Sequence, residues 1–141
     1  MVTPAGITGA LGIGLKIWEA VKALFDAKDR LAKAKKERRT DIAALLDHIA
    51  AALEITATEL RNGNYPHNKC AEIAGYARDL PGKLRDELGG QADTIGQALE
   101  DAHAVELIHA ERNTPDGREA IAKIEEAAGM LRAIGKMLPL G

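Results

Sequence analysis

Residues 40–66, TDIAALLDHIAAALEITATELRNGNYP, read as one helix followed by the signal that ends it. Apolar side chains recur at intervals of three or four residues, which is the spacing of one face of an α-helix. These are Ile42, Leu45, Leu46, Ile49, Leu53, Ala57 and Leu60. Gly63 has the role of a C-terminal stop, and Pro66 opens the next segment. The stretch therefore predicts two helices joined by a tight turn.

Upstream of this stretch the same spacing predicts an amphipathic helix over residues 4–25. Its apolar positions are Ile7, Leu11, Leu15, Ile17, Trp18, Val21, Leu24 and Phe25. The next helix begins either near Lys28 and runs through, or restarts at Thr40, where a Thr followed by an Asp can cap a helix.

Downstream, a third helix runs to Leu88, and a kink or short break is expected after Leu80 because Pro81 and Gly82 follow it. A fourth and a fifth helix come next, with Thr114 as a cap between them and Pro115 in the first turn of the fifth. Their apolar positions are Ile95, Leu99, Ala102, Val105 and Ile108, and then Ile121, Ile124, Ala128, Leu131, Ile134 and Leu138.

These patterns predict an all-α fold, because no useful length of sequence alternates with the two-residue period of a strand. We expect an antiparallel four-helix bundle plus an amphipathic N-terminal helix. One domain of residues 1–141 is expected, with the N-terminal helix in residues 1–25 and the body in residues 28–138. Aromatic residues make up 3% of the chain, so the core must be built from Ala, Leu and Ile.

Cysteine use and the N-terminal sequence bear on the compartment. The chain has one cysteine, Cys70, which excludes an internal disulfide and favours a reducing, cytoplasmic setting. The apolar start lacks the basic region and cleavage site of a secretory signal. Charge enters at Lys16, too early for a helix of about 20 apolar residues that would span a membrane.

Charge is distributed unevenly along the chain. The net charge is −2, but residues 1–40 contain nine Lys or Arg and four Asp or Glu, so the rest of the chain is acidic. The basic run is a candidate contact for anionic lipid headgroups. Its members are Lys28, Arg30, Lys33, Lys35, Lys36, Arg38 and Arg39. The alternative is a solvated helix face with interspersed acidic residues. Nucleic acid is disfavoured as a partner, because the net charge is negative and no aromatic residues lie nearby for base stacking.

Four glycines in the N-terminal helix weaken it. Gly6, Gly9, Gly12 and Gly14 each cost about 0.5 to 1 kcal/mol relative to Ala in a helix interior. A weakened apolar helix is suited to leaving one environment for another. The alternative is that its apolar face simply completes the core.

No catalytic, cofactor or metal site is predicted, and we expect a protein that is not an enzyme. Serine is absent, and no phosphate-binding glycine loop is present. Cys70 lies three residues after His67 but on an apolar helix face, which favours a buried core residue. Glu106 and His109 match one Glu-x-x-His copy of a di-iron bundle, with His103 one turn earlier, but the required second copy is missing. A metal-dependent enzyme stays a minor alternative that metal analysis would test.

The stretch GITGALGIGLKIWEAVKALF, residues 6–25, followed by a long charged helix and a helical body, resembles the HeLo family and its relatives. These include fungal HeLo-like domains, bacterial Bell domains, the plant resistance-protein bundle and the N-terminal bundle of mixed-lineage kinase-like pseudokinases. The segment LRNGNYPHNKCAEIAGYARDLP, residues 60–81, is similar to stretches in uncharacterised bacterial bundles of this type. Such bundles are commonly joined to a sensor or an amyloid-forming motif, and nothing after Leu138 resembles one.

The resemblance implies a bacterial immune or cell-death effector that oligomerises on an upstream signal, exposes its N-terminal helix and permeabilises the membrane. The membrane-inserting residues it implies are Ile7, Leu11, Ile13, Leu15, Ile17 and Trp18. Headgroup contacts would come from Lys28, Lys33, Lys35, Lys36, Arg38 and Arg39. Expected partners are anionic membrane lipids, further copies of the chain and an upstream sensor protein. The protein would be cytoplasmic at rest and at the cytoplasmic membrane when active, with no cofactor. The alternative function is a helical adaptor that docks its N-terminal helix into a partner protein.

Overall fold

A computed structural model describes residues 9–101 and 105–140, and it confirms the all-α prediction for that part of the chain. The helices are α1 (Ala10–Asp26), α2 (Lys28–Leu31), α3 (Lys36–Arg61), α4 (His67–Leu88), α5 (Gly90–Asp101), α6 (Glu106–Ala110) and α7 (Pro115–Met137), and a 3-10 turn at Leu138–Leu140 follows them. Residues 1–8, which include Gly6 and Ile7, lie outside the described residues. Residues 102–104, within the predicted fourth helix, also lie outside them.

The long helix α7 lies at the centre of the packing, with α1 and α3 against it. Helix α4 packs on both α3 and α5, and α1 also touches α5 and α6. The buried side chains are mostly Ala, Leu and Ile, as the composition predicts. Close helix packing follows from the many alanines, because a small side chain lets two backbones approach.

The turn between α3 and α4 has the predicted stop and start signals. Gly63 adopts a positive φ of 84°, a conformation that costs glycine little, and α4 begins just after Pro66. The start of α7 is also as predicted: Pro115 occupies its first turn, and the Thr114 side chain accepts a hydrogen bond of 3.0 Å from the Gly117 N–H.

Of the kink or short break predicted after Leu80, the break is wrong, because α4 runs without interruption from His67 to Leu88 with Pro81 inside it. The proline ring packs on α5 at Gly96, where an added β-carbon would come within 2.8 Å of Pro81 Cγ and 2.9 Å of the Ala77 carbonyl oxygen. Tertiary contact with a glycine therefore accommodates the ring that local rules would place at a helix end.

The predicted start of the second helix is correct only in part: a helix begins at Lys28, but it does not run through, and the next helix starts at Lys36 and not at Thr40. A short helix, α2, is followed by the turn Ala32–Lys35, and α3 then begins at Lys36. Thr40 does not cap this helix. Its hydroxyl donates a hydrogen bond of 3.1 Å to the Lys36 carbonyl within the first turn of α3.

Candidate functional site: helix α1 and its groove

Helix α1 lies with its apolar face in the core. Its fully buried side chains include Ile17, which is 3% exposed, and Val21 and Leu24, which are each 0% exposed. These three residues follow one another at intervals of four and three, so they lie on one face of the helix. We call the surface of α5, α6 and α7 that α1 covers the α1 groove.

The closest approach of α1 to the groove occurs at Gly14. A β-carbon built on Gly14 would lie 2.7 Å from the Cα atom of Ala120 and 2.9 Å from its Cβ atom. Real β-carbons do not come this close to backbone atoms, so only glycine lets α1 dock at this depth. One of the glycines that weaken the helix therefore also sets its position.

Trp18 provides the polar link between α1 and the groove. The Lys123 ammonium of α7 lies 4.8 Å from the centroid of the half-buried Trp18 ring. A cation over an indole face is attracted to the negative potential of the ring. The Lys123 ammonium also lies 3.8 Å from the Glu126 carboxylate on its own helix. Trp18 is therefore not the only group that positions this ammonium.

Within the described residues, α1 forms no ion pair or side-chain hydrogen bond with any other helix. Its ion pair is internal, between Lys22 and Asp26 at 2.8 Å. Lys16 and Glu19 point to solvent. Apart from the Lys123 contact, α1 is therefore held to the rest of the protein by apolar packing.

The other long helices are joined by ion pairs. Arg61 of α3 forms two hydrogen bonds, of 2.6 and 2.9 Å, with the Glu125 carboxylate of α7. Arg132 of α7 is bonded in the same way to Glu54 of α3, at 2.8 Å through its Nε atom. The hydrogen bond from the arginine lowers the pKa of each carboxyl, so both pairs are charged at neutral pH.

Helices α4 and α5 are attached in the same manner. Arg38 of α3 bonds to Glu87 of α4 at 2.7 and 3.1 Å, and Arg85 of α4 bonds to Asp93 of α5 at 3.0 Å. We call these inter-helix ion pairs, Arg61–Glu125, Arg132–Glu54, Arg38–Glu87 and Arg85–Asp93, the charged clamps. The charged clamps connect α3, α4, α5 and α7, and none of them includes α1.

The residues implied to insert into a membrane are therefore docked, apart from Ile7, which lies outside the described part. Ile17 is buried, whereas Leu11, Ile13, Leu15 and Trp18 are half-buried along the edge of the same helix. Any contact between Ile17 and lipid would require α1 to leave its groove. Of the helices described, none has both the length and the hydrophobicity needed to cross a bilayer.

The residues predicted to contact headgroups divide into two groups. Lys33, Lys35 and Lys36 are exposed and form no ion pair with described residues, and Lys28 lies with its ammonium 4.4 Å from the centroid of the Phe25 ring.

Arg38 and Arg39 are instead used inside the protein. Arg38 binds Glu87, and its guanidinium also donates to the Lys83 carbonyl at 2.9 Å. Arg39 donates to the Leu138 carbonyl and to the Ala34 carbonyl, both at 3.0 Å. The spacing of basic residues alone does not distinguish these arginines from the free lysines, because their partners lie up to 99 positions away.

The groups considered for metal or thiol chemistry are used to hold the turn between α3 and α4. The Tyr65 hydroxyl donates to the Glu106 carboxylate at 3.0 Å, and His109 Nε2 lies 3.1 Å from the Gly63 carbonyl oxygen. Burial and the bond to Glu106 raise the pKa of Tyr65 to about 12. Among the described residues no three candidate ligand side chains converge, and His103 lies outside them.

Cys70 is buried, and its burial raises the pKa of the thiol to about 11. His67, which the sequence places within one turn of it, stacks against the Tyr65 ring with the two ring centroids 4.3 Å apart. The position is that of a core residue, since a thiol with this pKa carries almost no thiolate at neutral pH.

Comparison with protein-family models, curated proteins and solved structures finds no match to this chain.

Proposed function

We propose that the protein is a membrane-permeabilising effector whose helix α1 leaves its groove and enters a lipid surface. The observation that supports this is the absence of charged clamps between α1 and the other described helices, whereas such clamps connect α3, α4, α5 and α7 to one another. A helix attached by apolar contacts detaches without breaking an ion pair to the rest of the protein.

The free-energy balance supports exchange into an apolar environment over release into water. Full burial of Ile17, Val21 and Leu24 stabilises the docked state by about 1.5 to 3 kcal/mol for each side chain. This free energy is lost when α1 is released into water. It is regained at the boundary between headgroups and acyl chains, because the same apolar face is buried there again. Helix α1 has 17 residues and is about 26 Å long, which suits a helix lying in the interface.

The exposed lysines after α1 complement this face. Lys33, Lys35 and Lys36 follow α1 in the chain, are exposed and form no ion pair with any residue in 9–101 or 105–140. Such ammonium groups attract anionic headgroups by about 1 kcal/mol each near the surface. In this proposal α3, α4, α5 and α7 make up an antiparallel four-helix bundle that stays folded, and α1 is the fifth, movable element.

The biological setting follows from the resemblance to HeLo and Bell-type domains. The protein would rest in the bacterial cytoplasm and act in an immune or programmed cell-death pathway. An upstream sensor would drive it to oligomerise and to expose α1 at the cytoplasmic membrane.

Dye leakage from vesicles of anionic and of zwitterionic lipid tests the proposal. The wild-type protein and a Lys123→Met variant, which loosens α1, should release dye from anionic vesicles. Leu15→Glu should abolish release, because it places a charge on the half-buried edge of α1. Ile55→Glu is the matched control, since Ile55 of α3 is 42% exposed and lies outside α1.

Leakage that Leu15→Glu leaves unchanged would contradict the proposal, as would folded wild-type and Lys123→Met proteins that both leave anionic vesicles intact. Circular dichroism of each variant shows whether it is folded before leakage is compared.

A second candidate function is a helical adaptor that docks α1 into a partner protein. The spacing of Ile17, Val21 and Leu24 favours it, because anchors at i, i+4 and i+7 are those of helices that bind in protein grooves. An adaptor would bind a partner through this face and leave vesicles intact.

A further inference from the structure

The chain between Leu15 and Arg61 contains no glycine and no proline, yet its helix is interrupted twice. Ala27 separates α1 from α2 with φ −95° and ψ 7°, and the turn Ala32–Lys35 separates α2 from α3. Both interruptions are made of Ala and Lys, which are among the best helix formers. The local sequence therefore does not explain either break.

Long-range contacts hold the broken conformation. Leu31 is fully buried between the two breaks, and Arg30 donates a hydrogen bond of 2.7 Å to Gln91 of α5. Arg39 holds the turn by donating to the Ala34 carbonyl within it and to the Leu138 carbonyl beyond α7. When α1 and α2 leave the body, the burial of Leu31 and the bond from Arg30 to Gln91 are lost, and local helix propensity decides the backbone.

The conformation that propensity favours is one continuous helix from Ala10 to Arg61. At 1.5 Å per residue this helix is about 78 Å long, so α1 extends well beyond the body from which it came. An empty α1 groove then remains on that body, with Ala120 and Lys123 exposed.

We propose that this groove binds the α1 helix of a second copy of the chain, so that two copies exchange α1 and form a domain-swapped dimer. The complementarity is already present within one chain: Gly14 fits Ala120, and Trp18 lies beneath the Lys123 ammonium. A second copy supplies the same contacts, so the exchange creates no new unfavourable interface. Continuous helices in place of the breaks provide the additional stability of the dimer.

The inference rests on the proposed function for the detachment of α1 and deepens its self-association, but it does not need the membrane step. A swapped dimer that leaves vesicles intact supports the exchange and removes the membrane function. Vesicle leakage by a protein that never forms a dimer supports the membrane function and removes the exchange.

Lys35 provides a substitution that separates the two backbone states. Its φ of −62° and ψ of 154° fit a proline, and its N–H donates no hydrogen bond to described residues. Lys35→Pro therefore fits the folded monomer but blocks a helix through the turn. Lys35→Ala removes the same charge and allows the helix.

The experiment warms each full-length protein to its unfolding midpoint at high concentration, cools it, and measures mass by light scattering after gel filtration. Wild type and Lys35→Ala should form dimers, and Lys35→Pro should form at least about tenfold less, because proline is strongly unfavourable in a helix interior. Equal dimer in the proline and alanine variants, or no dimer from wild type, overturns the inference.

Crosslinking shows whether the dimer is swapped. In a Cys70→Ala background, which removes the native thiol, Trp18→Cys and Lys123→Cys are combined and treated with a bis-maleimide. The monomer fraction should link within one chain, and the dimer fraction should run as a covalent dimer on a denaturing gel. Each single-cysteine variant is the control. A dimer fraction that links only within chains overturns the inference.

Discussion

Gly14 of α1 lies against Ala120 of α7 so closely that a β-carbon on residue 14 would come within 2.7 Å of the Ala120 Cα atom. Gly14 thus has two opposite effects. In isolation it weakens α1 by about 0.5 to 1 kcal/mol relative to Ala. In the folded protein it allows the deepest contact that α1 makes with its groove.

Gly14→Ala should lower the free energy of unfolding despite the better helix propensity of alanine. The added methyl group meets backbone atoms that cannot rotate away, and overpacking of this kind costs about 1 to 3 kcal/mol. Urea denaturation measures the change. Gly129→Ala in α7 is the control, because nothing lies within 4 Å of that site and the substitution should stabilise the protein. A Gly14→Ala protein as stable as the Gly129→Ala protein would contradict the packing argument.

Lys123→Met should loosen α1 while keeping most of the aliphatic side chain. Loss of the cation above Trp18 removes about 0.5 to 1 kcal/mol, so amide hydrogen exchange in α1 should quicken about two- to fivefold. Exchange in the clamped helices α3 and α4 should not change. Lys136→Met, at an exposed position of α7, is the matched control. Faster exchange spread equally over all helices would show that α1 does not open independently.

The sequence predicted the helices whose apolar spacing is regular and whose ends have their own signals. Gly63 and Thr114 act through contacts within a few residues, so local rules located the turn before α4 and the start of α7 correctly. The breaks at Ala27 and Ala32–Lys35, and the unbroken helix at Pro81, depend on distant partners such as Gln91 and Gly96. Local propensity contains no record of those partners. The boundary near Lys28 was predicted, whereas the restart at Lys36 and the continuous helix through Pro81 were not.

The candidate site was predictable only in part for the same reason. An amphipathic face on α1 was visible in the sequence, but the groove it occupies is formed by residues about 100 positions later. Basic residues were visible too, whereas the engagement of Arg38 by Glu87 was not. The clamps that distinguish α3, α4, α5 and α7 from α1 pair residues from different helices and appear only in the fold.

Acid should weaken the clamps between α3 and α7. The pKa values of Glu54 and Glu125 are lowered in the folded state by their arginine partners, so their stabilisation is present above the ordinary value of 4.5 and is lost as pH falls through the lower folded values. Both side chains are partly exposed, so solvent screens each pair and its contribution to stability is small.

Urea denaturation of wild type and of an Arg61→Gln, Arg132→Gln double variant between pH 7 and pH 3 tests this. The variant should be less stable at pH 7, and the difference between the two proteins should shrink below pH 4.5. A difference that stays constant across this range would mean that the arginines act through packing and not through charge.

Cys70 should react slowly with iodoacetamide while the protein is folded. Burial raises the pKa of its thiol from the ordinary 9.0 to about 11, so at pH 8 the thiolate population is about a hundredfold smaller than in the unfolded chain. The rate should increase about tenfold for each pH unit between 8 and 10, because the reactive thiolate increases in that proportion. The same protein in concentrated urea is the control and should react at the rate of a free thiol. Native and urea-treated rates within a factor of about three would mean that α4 opens readily at its first turn, and that the turn held by Tyr65 and His109 is weaker than its contacts indicate.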